Sequence, residues 1–211
     1  MAGDGSHALL VLGFESTDHE VQEAMERALA LCAQCGGTAP ARDERRAGGD
    51  AVQSWRGAFL GAPYVRDLLV AAGAISETFE TAITWDRFPA FHAAVMAAAE
   101  EAVRQACDAP GRVFCRFTHI YPDGPAPYFT VLAPGRRGEE VEQWWAIKRA
   151  VSDALIEHGG TITHHHAVGR DHRPWYDRQR PEVFAAALRG AKQAVDPAGV
   201  MNPGVLVDPA L

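Results

Sequence analysis

Two β-rich segments separated by a tight-turn sequence constrain the fold of this chain more than any other feature. Residues 112–121 and 128–133 are rich in β-branched and aromatic side chains, and Asp123-Gly124-Pro125 lies between them. Such a sequence is typical of a turn between paired strands. Two strands joined this closely run antiparallel. The sequence therefore predicts a β-hairpin in an antiparallel or mixed sheet.

Helical patterns flank the hairpin on both sides. Residues 86–106 and 139–158 carry apolar side chains three and four positions apart, which predicts two long amphipathic helices. The remaining segments predict strands at 7–15, 75–83 and 161–166, an exposed loop at 38–50, and shorter helices at 21–35, 55–60, 63–73, 171–177 and 181–194. We expect an α+β fold of ferredoxin-like type, with the helices packed mainly on one face of the sheet.

The composition excludes some classes of function. The 211 residues include 20 Lys and Arg against 27 Asp and Glu, which gives a formal net charge of −7. That balance argues against a nucleic-acid binder that neutralises phosphates, although a local basic pocket for a small anion stays open. No apolar run reaches the roughly 18 residues of a transmembrane helix, so we expect none.

The cysteines indicate a reducing compartment. Cys32, Cys35, Cys107 and Cys115 are too few and too irregularly spaced for a secreted disulfide scaffold, so we expect a cytoplasmic protein. Cys32 and Cys35 form a Cys-x-x-Cys pair, which also occurs in redox and metal sites. The pair lies at the end of the predicted helix and not at its start, where thiolates are stabilised. Buried cysteines on a helix face are therefore the favoured interpretation.

Three consecutive histidines, His164, His165 and His166, form the most unusual motif of the chain. In an extended segment His164 and His166 would share one face, and His165 would point to the other. Imidazoles at these positions can transfer protons, donate hydrogen bonds or bind a metal. A zinc site would need a third protein ligand. The alternative is a solvated polar turn after a helix.

Two further residues are candidates for binding or catalysis. Tyr128 opens a predicted strand and is either a core or edge aromatic or a catalytic base. Arg66 follows apolar residues and precedes Asp67, so it either forms a structural ion pair or binds an anion. The sequence contains no Walker A, Gly-x-Gly-x-x-Gly or Gly-x-Ser-x-Gly motif, and thus no recognisable nucleotide-phosphate loop.

An ordered set of motifs gives the chain a family resemblance. The set consists of Pro63-Tyr64-Val65-Arg66-Asp67, Phe79-Glu80-Thr81-Ala82, His119-Ile120-Tyr121, Tyr128-Phe129, the triple histidine followed by x-x-Gly, and Asn202-Pro203-Gly204. In this order the motifs resemble the C-terminal substrate, or cap, domain of FAD-linked oxidases of the vanillyl-alcohol-oxidase superfamily. Within the superfamily, the resemblance is closest to the alkyldihydroxyacetonephosphate synthases (alkylglycerone-phosphate synthases), and it extends from about residue 8 to residue 207.

The resemblance implies an activity in ether lipid biosynthesis. In such synthases FAD serves without net redox change: its N5 forms an adduct with acyl-dihydroxyacetonephosphate, the fatty acid leaves and a fatty alcohol replaces it. Tyr128 takes the place of the catalytic tyrosine, and Arg66 that of the substrate-binding arginine. His164, His165 and His166 take the place of the catalytic histidines. Asn202 and His166 are implied to contact the cofactor.

The resemblance also implies that the 211 residues are one cap domain whose N-terminal FAD-binding domain is absent. We therefore expect an FAD-binding domain or subunit as partner, a lipid-phosphate or hydroxy-acid substrate, no activity without that partner, and a possible homo-oligomer. Two alternatives stay open. One is the cap of an FAD-dependent dehydrogenase or oxidase of 2-hydroxy acids or alcohols. The other is a stand-alone module that binds metal or a partner through His164 and His166.

Overall fold

Three strands form one antiparallel sheet in the computed structural model, which describes residues 7–39 and 49–208. The strands are β1 (Ala74–Glu80), β2 (Arg112–Ile120) and β3 (Pro125–Pro134), with β3 in the centre. The predicted hairpin is confirmed as β2–β3. At its turn, a Cβ on Gly124 would lie 2.0 Å from the carbonyl oxygen of Ile83, so only glycine fits there.

Two long helices, α3 (Phe88–Cys107) and α4 (Glu140–Glu157), cover one face of this sheet. Alternate strand residues such as Phe79, Phe129 and Val131 point toward these helices and are almost fully buried. Removing this apolar surface from water is the main stabilising contribution to such a core. The predicted α+β class, with helices on one face of the sheet, is confirmed.

The opposite face of the sheet, here called the open face, is where the strand register aligns chemically active side chains. Cross-strand partners share a face, and Arg116, Tyr128 and Glu80 are consecutive partners across β2, β3 and β1. The helices that contact the sheet, among the described residues, lie on the other side. Arg116 is exposed and Tyr128 partly exposed in this row, so these two are available to a ligand or a partner, whereas Glu80 is buried.

Four further helices complete the described part of the chain. These are α1 (Gln22–Gln34), α2 (Gly49–Ala71), α5 (Gly169–Gln179) and α6 (Glu182–Val195). The chain divides into two compact units, one reaching to Gly61 and the other beginning at Ala62. None of the helices in residues 7–39 and 49–208 is both long and apolar enough to cross a membrane.

Several local predictions were wrong. Residues 7–15 form no strand, and Leu9 is 92% exposed, because an apolar run becomes a strand only where a neighbour accepts its backbone hydrogen bonds. The helices expected at 55–60 and 63–73 are one helix, α2, which contains Pro63. Residues 40–48 of the expected loop lie outside the described residues, and α2 already begins at Gly49.

The burial expected for the Cys-x-x-Cys pair is also wrong. Cys35 is exposed and Cys32 is half-buried, because α1 has no buried residue at all. An amphipathic pattern buries a helix face only where another element packs against it. Cys107 is buried in the core, Cys115 is half-buried, and all four thiols are free.

Candidate functional site

The segment after β1 and the segment after α4 lie side by side and bring the histidine run to the end of the sheet. The hydroxyl of Thr81 donates to the carbonyl of Thr161 at 2.6 Å, and the backbone N–H of Ala82 donates to the Thr161 hydroxyl at 2.9 Å. A Cβ on Gly160 would lie 2.6 Å from the Phe91 ring, so the chain passes this point only as glycine. The histidines therefore reach the end of β1.

Glu80 is the centre of the site. Its side chain is fully buried, yet its Oε2 accepts the backbone N–H groups of His165 at 2.9 Å and of His166 at 3.3 Å. Its Oε1 accepts the Thr118 hydroxyl at 3.1 Å and contacts Nδ1 of His165. A buried carboxylate is tolerated only when donors and charges surround it in this way.

The hydrogen bonds decide the ionisation of this carboxyl group. Burial raises the pKa of Glu80, but the backbone N–H of His165, the Thr118 hydroxyl and the neighbouring imidazoles lower it by more. The resulting pKa lies below the ordinary value of a glutamate, so Glu80 is ionised at neutral pH. The site therefore contains a fixed negative charge next to the histidines.

A second set of contacts surrounds His164. Its Nε2 lies 3.1 Å from the hydroxyl of Tyr121, while its Nδ1 is buried without a hydrogen-bond partner, 3.6 Å from Oε1 of Glu80. The ring of His119 lies 5.2 Å from the rings of both His164 and His165, centroid to centroid. The potential ligand atoms of Glu80, His119, His164 and His165 lie within 4.8 Å of one another, close enough for one metal ion.

The third histidine points toward the catalytic-tyrosine candidate. The rings of His166 and Tyr128 meet edge to face at 5.5 Å, and the Arg116 guanidinium lies 4.4 Å above the Tyr128 ring. Burial lowers the pKa of His166; the Glu80 carboxylate opposes this shift, and the nearby His165 ring and Lys148 ammonium add to it. His166 is therefore neutral at neutral pH and can accept a proton.

Side chains from α5 hold the histidine run in place. Gln179 accepts the backbone N–H of Ile162 at 3.0 Å and donates to the carbonyl of Gly160 at 2.7 Å. Nδ1 of His172 lies within 3.1 Å of the carbonyl oxygens of Ala167 and Val168, immediately after the run. These contacts connect the run to a regular element, which is how precise sites are usually supported.

The extended conformation predicted for residues 161–166 is wrong. The run is a series of bends, and the Thr163 hydroxyl donates to the carbonyl of His166 at 2.7 Å. Because the run is bent, His164 and His165 both face Glu80, whereas His166 faces Tyr128. A local side-chain hydrogen bond and a buried carboxylate therefore override the alternation of an extended strand.

The other two predicted site residues, Arg66 and Asn202, lie in different segments of the structure. Arg66 is exposed on α2 and, among the described residues, forms no ion pair with Asp67 or with the histidine cluster. Asn202 has a left-handed φ of 47°, and Arg170 donates to the next carbonyl, that of Pro203, at 3.1 Å. Asn202 therefore lies in a segment that the start of α5 anchors.

Sequence reasoning did not assign a role to Glu80, Thr118, His119 or Tyr121. The available signal was the strand sequence Ala74–Glu80, which places two glutamates in a segment of β-forming residues. A carboxylate in a strand that packs against helices needs a donor or a cation nearby. That argument predicts a partner for Glu80 but does not identify it, because the histidines lie 84 to 86 positions away.

The residues of the open face fit one side of a planar ring system. Tyr128 and Thr130 are partly exposed there, and Arg116 and Phe114 are exposed beside them. Such a surface can stack against a flavin ring and offer it hydrogen bonds and a positive charge. These residues could therefore cover one side of such a ring.

Comparisons with known proteins identify the family of the chain. Residues 2–206 match the family of FAD linked oxidases, C-terminal domain. The chain is 27% identical over 205 residues to an alkyldihydroxyacetonephosphate synthase of Trypanosoma brucei brucei, a match that covers 95% of this chain and 31% of the relative. It is 32% identical over 148 residues to the Caenorhabditis elegans enzyme of that name, covering 69% and 25%.

A solved structure of an alkyldihydroxyacetonephosphate synthase shares the fold, with a TM-score of 0.57 at 16% identity over 87% of this chain and 28% of that one. The chain thus spans less than a third of the length of these relatives. With a family match over nearly its whole length, the chain belongs to the C-terminal domain family of the FAD-linked oxidases.

Proposed function

We propose that this chain is the substrate-covering half of an FAD-dependent enzyme similar to alkyldihydroxyacetonephosphate synthase. The reaction would exchange the acyl group of an acyl-dihydroxyacetonephosphate for a fatty alcohol. The observation that carries the proposal is the meeting of Tyr128, His166 and the Glu80–His165 pair at one end of the open face. FAD, held by a separate FAD-binding domain or subunit, would supply the electrophilic ring system.

The roles of the residues follow from their positions. Tyr128 lies on the open face and would carry the proton that leaves the substrate and later returns to it. His166, neutral and edge-on to Tyr128, would accept that proton or orient the phenol. His164 and His165 would stabilise charge, and Arg66 would bind the phosphate through its guanidinium. Asn202 would contact the cofactor together with His166. We also place this activity in the cytoplasm.

Reconstitution tests this function. The chain is co-expressed with an FAD-binding domain from an alkyldihydroxyacetonephosphate synthase, and bound flavin and acyl-to-alkyl exchange are measured in the purified complex. We expect stoichiometric flavin, and a Tyr128→Phe complex that keeps its flavin but loses about 100-fold or more in turnover. A complex without flavin, or full turnover in Tyr128→Phe, would overturn the proposal.

The same complex distinguishes the proposed exchange enzyme from the dehydrogenase alternative. A cap domain of a 2-hydroxy-acid or alcohol dehydrogenase would allow such a substrate to reduce the flavin, which bleaches its absorbance. An exchange enzyme would leave the flavin oxidised in the presence of the same hydroxy acids. Bleaching by a hydroxy acid without any exchange of fatty alcohol would favour the dehydrogenase.

One observation favours a metal-binding function as the second candidate. The four potential ligands Glu80, His119, His164 and His165 are close enough for one ion. His166, one of the two histidines expected to bind metal from the sequence, lies outside this group. Metal analysis of tag-free protein, compared with His164→Ala and His119→Ala variants, decides between the candidates. Stoichiometric metal that both variants lose would support this function.

A further inference from the structure

We infer that Cys32 and Cys35 form a surface dithiol that closes reversibly to a disulfide by exchange with a low-molecular-weight disulfide such as oxidised glutathione. Cys32 lies in the last turn of α1, and Cys35 directly follows the helix. The proposed function uses neither residue, so the inference goes beyond it. The backbone geometry of the helix end and the accessibility of the two thiols carry the inference.

The first observation is the closed turn at the end of α1. The N–H of Gly36 donates to the carbonyl of Ala33 at 3.0 Å, and the N–H of Gly37 donates to the carbonyl of Cys32 at 2.8 Å. Gly36 has a left-handed φ of 80°. These two hydrogen bonds around a left-handed glycine form a Schellman motif. The motif fixes the backbone on both sides of Cys35.

The second observation is that the turn is tightened at Cys35 itself. Its N–H lies 3.1 Å from the carbonyl oxygens of both Leu31 and Cys32. The bond to Cys32 is that of a 3₁₀-helix, in which side chains three positions apart eclipse each other. Such positions share a face even in a regular α-helix. The tightening therefore brings the two Cβ atoms toward the roughly 3.5–4.5 Å that a disulfide needs.

The third observation is the accessibility of the pair. Cys35 is exposed and Cys32 is half-buried, and α1 has no buried residue. The last turn can thus adopt disulfide geometry without rearranging a packed core. The other two cysteines differ, because Cys107 is buried and burial raises the pKa of Cys115 to about 12, which disfavours its thiolate.

The exchange is balanced in atoms and electrons. The Cys35 thiolate attacks one sulfur of glutathione disulfide, which releases one glutathione and leaves a mixed disulfide on Cys35. The Cys32 thiolate then attacks the Cys35 sulfur and releases the second glutathione. The two cysteines lose two electrons and two protons, which the two released glutathione molecules gain.

The disulfide would change the helix that carries it. Because α1 has no buried residue, its stability depends mainly on its own backbone hydrogen bonds, and a helix of this kind is marginal alone. A bond between Cys32 and Cys35 would cross-link its last turn. In a compartment that glutathione keeps reduced, the dithiol is the resting form, and the disulfide forms when oxidised glutathione accumulates.

Equilibration of the full chain with glutathione tests the inference without flavin. The protein is incubated with oxidised glutathione and about 0.1 mM reduced glutathione, quenched with acid, alkylated and mapped by peptide mass spectrometry. A thiol held in the same turn has an effective concentration of millimolar or more. We therefore expect the Cys32–Cys35 disulfide in at least about tenfold excess over the mixed disulfide at Cys35.

Two variants show whether the register of the pair is the cause. Cys32→Ser should stop at the mixed disulfide on Cys35. The double variant Cys32→Ser with Ala33→Cys keeps two thiols in the turn but places them two positions apart, where side chains do not face each other. Ala33 is exposed, so this variant should fold, as circular dichroism checks. Its ratio of internal to mixed disulfide should be about tenfold lower than in wild type.

Each of three results would overturn the inference. These are a wild-type pair that stays reduced in excess oxidised glutathione, a wild-type chain that accumulates mainly the mixed disulfide, and a double variant that closes as readily as wild type. The measurement is independent of flavin binding and of acyl-to-alkyl exchange, so its failure is distinct from failure of the proposed function.

Discussion

At the scale of single residues, this protein shows how burial changes the chemistry of a side chain. Glu80 and Glu77 both lie in β1 and are both buried, but they face opposite sides of the sheet. Glu80 accepts donors from the histidine run, whereas Glu77 forms an ion pair with Lys148 of α4 at 2.7 Å. The alternation of a strand thus assigns one carboxylate to the site and the other to the core.

The four cysteines differ in the same way, which leads to a prediction about their reactivity. Burial raises the pKa of Cys115 to about 12 and also raises the pKa of Cys107, so both remain thiols at pH 8. Cys35 is exposed. We expect iodoacetamide at pH 8 to modify Cys35 in the native protein and to spare Cys107 and Cys115, as measured by peptide mass spectrometry.

The control is the same reaction in urea, where all four cysteines should react. Modification of Cys115 in the native protein as fast as that of Cys35 would contradict the prediction.

At the scale of elements, one buried ion pair connects α4 to the sheet. Lys148 and Glu77 are almost completely excluded from water, and the indole N–H of Trp144 donates to the same carboxylate at 2.5 Å. The Lys148 ammonium also lies 4.7 Å from the centre of the Phe79 ring. Two partners from one helix thus satisfy a carboxylate of β1 in the interior, which specifies how that helix lies on the strand.

Removing one member of the Lys148–Glu77 pair should lower the free energy of unfolding more than replacing both members. Lys148→Met leaves a buried carboxylate without its cation, and we expect the free energy of unfolding to fall by about 3–5 kcal/mol. Lys148→Met with Glu77→Gln removes both charges and keeps an acceptor for Trp144, so most of the loss should be recovered. Urea unfolding of the two variants measures both effects.

Glu142→Gln, which lies exposed on the same helix, is the matched control and should change little. A double variant no more stable than Lys148→Met would show that the pair does not act through its charges.

The helices also show where prediction from the pattern succeeds. The long periodic segments around α3 and α4 were predicted within one or two residues, because both helices bury an apolar stripe against the sheet. The same kind of apolar run at residues 7–15 produced no strand, since the described chain offers it no strand neighbour. Periodicity identifies a face that can be buried, and packing decides whether it is.

At the scale of the whole molecule, the histidines make stability depend on pH. Burial lowers the pKa of His166 and of His172 below the ordinary 6.5, and their neighbouring positive charges act in the same direction. Between the folded and unfolded pKa values the unfolded chain binds more protons, so stability falls as pH falls below 6.5. The lowered pKa of Glu80 extends the loss below its ordinary value of 4.5.

We therefore expect the free energy of unfolding to decrease steadily from pH 6.5 downward, in urea titrations at a series of pH values. His172→Asn retains a donor for the carbonyl groups of Ala167 and Val168 but does not titrate, so its stability should depend less steeply on pH between 6.5 and 4.5. An identical pH profile in wild type and variant would exclude His172 as a source of this dependence.

The sequence by itself determined the hairpin, the two packed helices, the α+β class and the triple histidine with Tyr128 as the candidates for chemistry. These features depend on local turn geometry, on periodicity and on motifs, which adjacent residues specify. Only the tertiary structure decided that the histidine run is bent, that Glu80 lies behind it, that Thr118 donates to Glu80 and that Tyr121 contacts His164. Burial and long-range hydrogen bonds create that arrangement, and they join residues that lie far apart in the chain.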